Sequence, residues 1–214
     1  IHVAATSEDR NFADVPSYDS WDLRSDSSYV HITSNETIGG VEFHDYPPNL
    51  PSPLVADMSS HILSRPLDVS QFGLIYAGAQ KNIGPAGLTI VIIRKDLLAR
   101  VSSDLPSMFS YAVQADNQSM FNTPPTYAIY VAGLVFKWLE EQGGLSSIEQ
   151  KNIKKSNMIY DQIDLTGFYR SPVPKNCRSR MNIPFRIRDE TLEDLFLKDA
   201  KDSGLLQLKG HRSG

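Results

Sequence analysis

The stretch LIYAGAQKNIGPAGLTIVIIR, residues 74–94, decides how the rest of the chain is read. It holds two apolar runs, Leu74 to Ala77 and Leu88 to Arg94. The second is almost wholly β-branched or apolar, and both carry the signature of buried strands. Between them Tyr76 to Gly87 packs three glycines, one proline, one lysine and two amides into a short connection. Glycines let a backbone approach a ligand closely, and exposed N–H groups in such loops attract phosphates. A lysine flanked by buried strands loses solvation, which lowers its pKa and favours the neutral amine. On composition alone the plainer reading, a tight strand connection with a solvated lysine, is the one to prefer.

Upstream, Tyr29 to Thr33 and Leu54 to Ala56 are further short strand candidates, separated by Pro47-Pro48 and the prolines from Pro51 to Pro53. Ile1 to Ala5 reads as a strand already under way. Short apolar runs alternating with polar loops make an α/β protein. Downstream, Asn122-Thr123-Pro124-Pro125 opens a long helix with Thr123 as N-cap. Ala128, Val131, Ala132, Val135, Trp138 and Leu139 form its apolar face, and Gly143-Gly144 stop it. The pattern predicts a second helix over Ser146 to Ile163, a strand over Met181 to Ile187, a helix over Thr191 to Asp202 and a strand over Leu205 to Leu208. The division expected is a large domain over 1–144 and a small one over 145–214.

The 214-residue chain has a net charge of −4, with acids and bases interspersed. That excludes the basic face a nucleic-acid or membrane-surface binder needs, and no apolar stretch is long enough to span a bilayer. The lone Cys177 excludes an internal disulfide framework and fits a cytoplasmic setting. His2, His31, His44, His61 and His211 show no ligand spacing, so no metal site is expected. No Gly-x-Ser-x-Gly, Walker loop or Gly-x-Gly-x-x-Gly occurs.

Four other places could carry chemistry, each with a structural alternative. Asp57 ends an apolar strand, where α/β sheets present ligand contacts, but it could equally cap the next turn. Ser34-Asn35-Glu36-Thr37 follows another strand and could be plain turn chemistry. Asn122-Thr123 could bind an anion at a helix start. Lys209-Gly210-His211-Arg212 would suit a phosphate or carboxylate, or be a solvated tail.

Taken together, SNETIGGVEF (34–43), the run from Ala56 to Leu98 with AGAQKN and GPAG inside it, FNTPPTYAIYVAGLVFKWLEEQGG (121–144), RMNIPFRI (180–187) and LKGHRS (208–213) resemble the phosphoserine aminotransferases. These are fold-type I, class V enzymes that use pyridoxal phosphate (PLP). The resemblance runs along essentially the whole chain, in order. It implies part of the family's large PLP-binding domain, a mainly parallel sheet with helices on both faces, plus part of a small C-terminal α+β domain. It implies amino transfer between glutamate and 3-phosphohydroxypyruvate, giving 2-oxoglutarate and O-phosphoserine, with a related vitamin B6-pathway substrate in bacterial members.

By the same resemblance Lys81 matches the lysine that carries PLP and moves the proton between the substrate α-carbon and the cofactor. Asp57 matches the acid paired with the pyridinium nitrogen. Thr37 matches the hydroxyl near the phenolic oxygen, and Gln80 a residue on the cofactor-phosphate side. Asn122 and Thr123 match residues that reach the cofactor phosphate of a neighbouring subunit, which implies a homodimer. His211 and Arg212 match the cationic pair on the substrate phosphate. The family's Gly-rich phosphate loop, ring-stacking tryptophan, substrate-binding His-Arg pair and late carboxylate-gripping arginine have no counterpart here, so a partial chain is expected. The alternatives are a non-catalytic fragment or interaction module of such an enzyme, or another class V aminotransferase or a cysteine desulfurase. Cys177 has no family motif around it, which argues against the last.

Overall fold

In the computed structural model, residues 1–210 are described. They form two compact units, and each is discontinuous in sequence. One comprises Leu23–Ser34 and Pro47–Glu149; the other comprises Ile1–Asp22, Asn35–Tyr46 and the chain from Gln150.

The first unit is built on a four-stranded sheet made of β1 (Val30–Thr33), β4 (Leu54–Asp57), β5 (Leu74–Gly78) and β6 (Thr89–Ile93), in that order. Two short strands of the other unit, β2 (Asn35–Glu36) and β3 (Val41–Glu42), fall between β1 and β4 in the chain. β1, β4 and β5 are parallel, with Thr33 opposite Asp57 and Asp57 opposite Tyr76. β6 returns antiparallel to β5, so the sheet is mostly parallel rather than wholly so. Alternation along the strands separates two faces. Val30, Ile32, Leu54, Ala56, Ile75 and Ala77 are buried and form the core with Met58, Ile62, Phe72, Ala79 and Ile83. His31 and Thr33, on the opposite face, are exposed.

The apolar run 88–94 does form a strand, but an edge strand. Thr89, Val91 and Ile92 are exposed, because β6 has a hydrogen-bonded neighbour on one side only among the described residues. Two short helices follow, α1 (Lys95–Leu98) and α2 (Tyr111–Asp116), and then α3 (Thr126–Glu141). Thr123 is not the N-cap of α3; Pro125 is. Each proline disfavours helical geometry in the residue before it. The helix therefore starts only past the second one, with the Ile129 N–H donating to the Pro125 carbonyl at 3.0 Å. Of the expected apolar face, Ala128, Ala132 and Leu139 are buried, whereas Trp138 is exposed.

The division between units falls inside α4 (Gly144–Thr166), between Glu149 and Gln150. In the second unit β2 pairs antiparallel with β3, and β7 (Tyr169–Arg170) with β8 (Arg186–Ile187). An aromatic group of Phe168, Tyr169, Phe185 and Phe196 links these strands to α5 (Glu193–Asp202). The β2–β3 hairpin is tied to the chain 140 residues on by buried polar groups. Ser179 Oγ donates to Asn35 Oδ1 at 2.6 Å, Asn35 Nδ2 to Asn182 Oδ1 at 2.9 Å, and the Arg180 N–H to Glu42 Oε2 at 2.8 Å. Arg178 grips both carboxylate oxygens of Asp164 at 2.8 and 2.9 Å.

Three expected strands are corrected. Ile1 to Ala5 has no strand. Over Met181 to Ile187 only Arg186–Ile187 pairs, beyond Pro184, which cannot donate to a ladder. Leu205 to Leu208 is exposed and forms no strand; the Leu205 N–H is spent on closing α5 against the Ala200 carbonyl. An apolar run becomes a strand only where a partner edge receives it.

Candidate active site

The parallel strands β1, β4 and β5 all end on one side of their sheet, where open α/β sheets present ligand contacts. Asp57 is the last residue of β4 and is half-buried. Its Oδ1 accepts the Ser59 N–H at 2.9 Å, an Asx turn that aims the carboxylate. Its carbonyl accepts both the N–H and the hydroxyl of Ser34, at 3.0 and 2.9 Å. The turns from Met58 to Ser64 are held from inside, with Met58, Ser60, His61, Ile62 and Ser64 all buried. Leu63 sits in the left-handed region at φ 65°, a conformation that persists only where the surroundings dictate it.

Gln80 and Lys81 lie in the connection that follows β5, and both are exposed. Lys81 is thus a solvated lysine on a loop, not one desolvated between strands. The backbone around it is tightly closed. Ala79 N–H donates to the Leu88 carbonyl at 2.9 Å, and Gly84 N–H to the Ala79 carbonyl at 2.7 Å. A Cβ at Gly78 would sit 2.5 Å from Gln80 Oε1, the far end of an exposed side chain that can turn aside. At Gly84 the loop meets α3, where a Cβ would lie 3.7 Å from Val131 Cγ1.

The structure therefore brings Asp57, Gln80 and Lys81 to one end of one sheet. Asn122 and Thr123 lie in the exposed bend ahead of α3, in the same unit. Thr37 belongs to the other unit, in the turn between β2 and β3, and is half-buried. His211 and Arg212 fall outside the described residues.

Three further groups lie in the stretches marked from sequence but had no role of their own there. Tyr76 stands opposite Asp57, and its hydroxyl lies 3.0 Å from His31 Nε2. Burial, then the negative charge of Asp57 and a hydrogen bond to it, push the Tyr76 hydroxyl above its ordinary pKa, so it stays a protonated donor beside that carboxylate. Ser59 and Asn82 are the other two. The only signal for Ser59 was its place two residues after an aspartate, as in an Asx turn. Asn82 carried none beyond adjacency to Lys81.

As to what the donors fit, a carboxylate at a strand end and a primary amine on the next strand's loop offer a cationic ring nitrogen and an aldehyde their complementary partners. Among the described residues no cluster of metal-ligating side chains occurs and no helix is long and apolar enough to cross a membrane.

A strand-end acid and a loop lysine on a mostly parallel sheet define a class that the comparisons supply. Residues 1–213 match the class-V aminotransferase family, and the chain belongs to it. Within that family its relatives include phosphoserine aminotransferases. Those of Nitrosomonas europaea and Acidithiobacillus ferrooxidans are each 57% identical across the whole chain. The solved phosphoserine aminotransferase from Bacillus circulans subsp. alkalophilus is 50% identical and superposes with a TM-score of 0.95, covering 99% of this chain and 59% of that one. A PLP-bound phosphoserine aminotransferase from Trichomonas vaginalis is 42% identical, with a TM-score of 0.87, covering 94% of this chain and 57% of that one. The chain spans 60% and 59% of the length of the two bacterial relatives.

Proposed function

We propose that the protein is a PLP-dependent phosphoserine aminotransferase, moving an amino group between glutamate and 3-phosphohydroxypyruvate to give 2-oxoglutarate and O-phosphoserine. The observation that carries this reading is the shared position of Asp57 and Lys81 at the C-terminal ends of adjacent parallel strands, in a chain so similar to relatives of that name. When bound, PLP supplies the electron sink that lets the substrate α-carbon give up its proton. Lys81 would hold the cofactor through its Nζ, and the same amine would serve as the base and acid that moves the substrate α-proton. Asp57 would hold a proton on the ring nitrogen, because a nearby carboxylate favours the charged form of such a partner. The Ser59 N–H, 2.9 Å from its Oδ1, holds that carboxylate in place.

Gln80, Asn122 and Thr123 are assigned to the cofactor phosphate. The last two would serve a neighbouring subunit, so the reading includes a homodimer. Thr37 is assigned to the phenolic oxygen, and His211 with Arg212 to the substrate phosphate, on sequence alone. A cytoplasmic setting accompanies the reading.

The test is turnover by the full-length gene product. Glutamate-dependent formation of phosphoserine, with alanine, serine and cysteine poor amino donors to 3-phosphohydroxypyruvate, is the expected result. Activity with alanine or cysteine in preference to phosphorylated substrates would redirect the assignment within the family.

A further inference from the structure

Two polar ties join the turn that follows Asp57 to the loop that carries Lys81. The Gly78 N–H, at the end of β5, donates to Ser59 Oγ at 3.0 Å. Asn82, the residue after Lys81, donates from Nδ2 to the Ile62 carbonyl at 2.7 Å. Ser59 serves both partners at once, because its own N–H is bonded to Asp57 Oδ1 at 2.9 Å. The loop is thus bound three residues before Lys81 and one residue after it. Both anchors lie in the 59–62 turns, which are themselves fixed by burial of Ser60, His61 and Ile62.

We propose that Ser59 and Asn82 are positioning residues, a two-point clasp that sets where the Lys81 amine stands relative to the Asp57 carboxylate. The two donations fix the backbone on either side of Lys81. A long side chain reaches a fixed target reproducibly only if its Cα is fixed, and a displacement of about 1 Å costs up to ~10²-fold in rate. Neither residue touches the reacting atoms. Both act through the two that do, so the inference rests on the proposed roles of Lys81 and Asp57.

The test uses the full-length gene product and four variants, Ser59→Ala, Ser59→Thr, Asn82→Asp and Asn82→Gln. Asn82→Asp keeps the shape but removes the amide donor; Ser59→Thr and Asn82→Gln keep the hydroxyl and the amide. Each is loaded with PLP. Three quantities are read: total cofactor bound, the rate at which cofactor becomes fixable to protein by borohydride, and the thermal midpoint.

The expected result is a rate of covalent attachment lower by about 10-fold or more in Ser59→Ala and Asn82→Asp. Total binding and thermal midpoint should stay close to the unmodified protein, and Ser59→Thr and Asn82→Gln should recover most of the rate. Attachment at the unmodified rate in Ser59→Ala and Asn82→Asp would overturn the proposal, as would a loss that merely tracks the thermal midpoint. If Asn82→Asp does not fold, the Ser59→Ala and Ser59→Thr pair decides. The control separates the two claims: no hydride-fixed cofactor on Lys81 in the unmodified protein sinks the aminotransferase reading itself. Normal fixation there and in both weakening variants sinks only the clasp.

Discussion

The two turns at the end of the sheet differ in what they expose. The one after β4, from Met58 to Ser64, is mostly buried and is closed by backbone bonds from His61 and Ile62 to the Met58 carbonyl and from Ser64 to the His61 carbonyl, with the Asp57 carboxylate bonded to the Ser59 N–H. The one after β5, from Ala79 to Leu88, exposes Gln80, Lys81, Ala86 and Gly87 and is closed by backbone hydrogen bonds and by two donations to its neighbour. The difference separates two tasks. On the proposed roles, the carboxylate stands on the buried turn and the amine reaches out from the exposed one. Precision then comes to the second turn from the first.

Breaking the exposed half should have the largest effect. Lys81→Ala is expected to lower transamination by ~10³-fold or more while leaving the fold intact, since an exposed side chain contributes little to stability. Matched rates and matched circular dichroism would check it. Asp57→Asn keeps the shape of the platform's functional group but removes its charge, and should cost about 10²–10³-fold. The deficit should be smaller if a PLP analogue with a permanently charged ring nitrogen replaces PLP.

The platform itself responds in stability rather than chemistry. Met58 is 1% exposed, and Met58→Ala should destabilise by about 2–5 kcal/mol in denaturant unfolding. A value under that would mean the turn is less packed than the contrast requires.

A tie of similar strength elsewhere sharpens the point. Arg178, through its paired hydrogen bonds and positive charge, holds the Asp164 carboxyl well below the usual carboxylate range. A depressed carboxylate stabilises the folded state above its unfolded pKa and loses that contribution as pH falls through the folded one. Asp164→Asn should therefore cost about 1.5–3 kcal/mol near neutrality. The deficit should shrink as pH drops below about 4, with cofactor attachment unchanged at pH 7. Smallest of all, Thr123→Ala should alter helix stability by under ~0.5 kcal/mol, where an N-cap would show about 1, because Pro125 rather than Thr123 caps α3.

That last residue illustrates what could be read ahead of the coordinates. β1, β4 and β5, the helices α3 and α4, and the strand-end location of Asp57 all follow from local apolar runs and turn residues. What local pattern does not carry is pairing. Residues 88–94 look like a buried strand, yet they lie antiparallel at an edge, because direction and burial depend on neighbours far along the chain. Leu205 to Leu208 has the composition of a strand and no partner among the described residues. Lys81 was legible only through a resemblance, and its exposure contradicts the desolvation its flanking strands suggested. The ties made by Ser59 and Asn82 could not be read, since their partners Gly78 and Ile62 are about 20 residues distant and a serine or asparagine in a turn has many uses.

The central claim is that the Lys81 side chain carries the cofactor. Incubating the full-length gene product with PLP, reducing with borohydride and mapping the added mass by peptide sequencing tests it directly. The account expects a single modified peptide with the mass on Lys81 and loss of the visible absorption band. Mass on another lysine, or none after a clear binding isotherm, would contradict it.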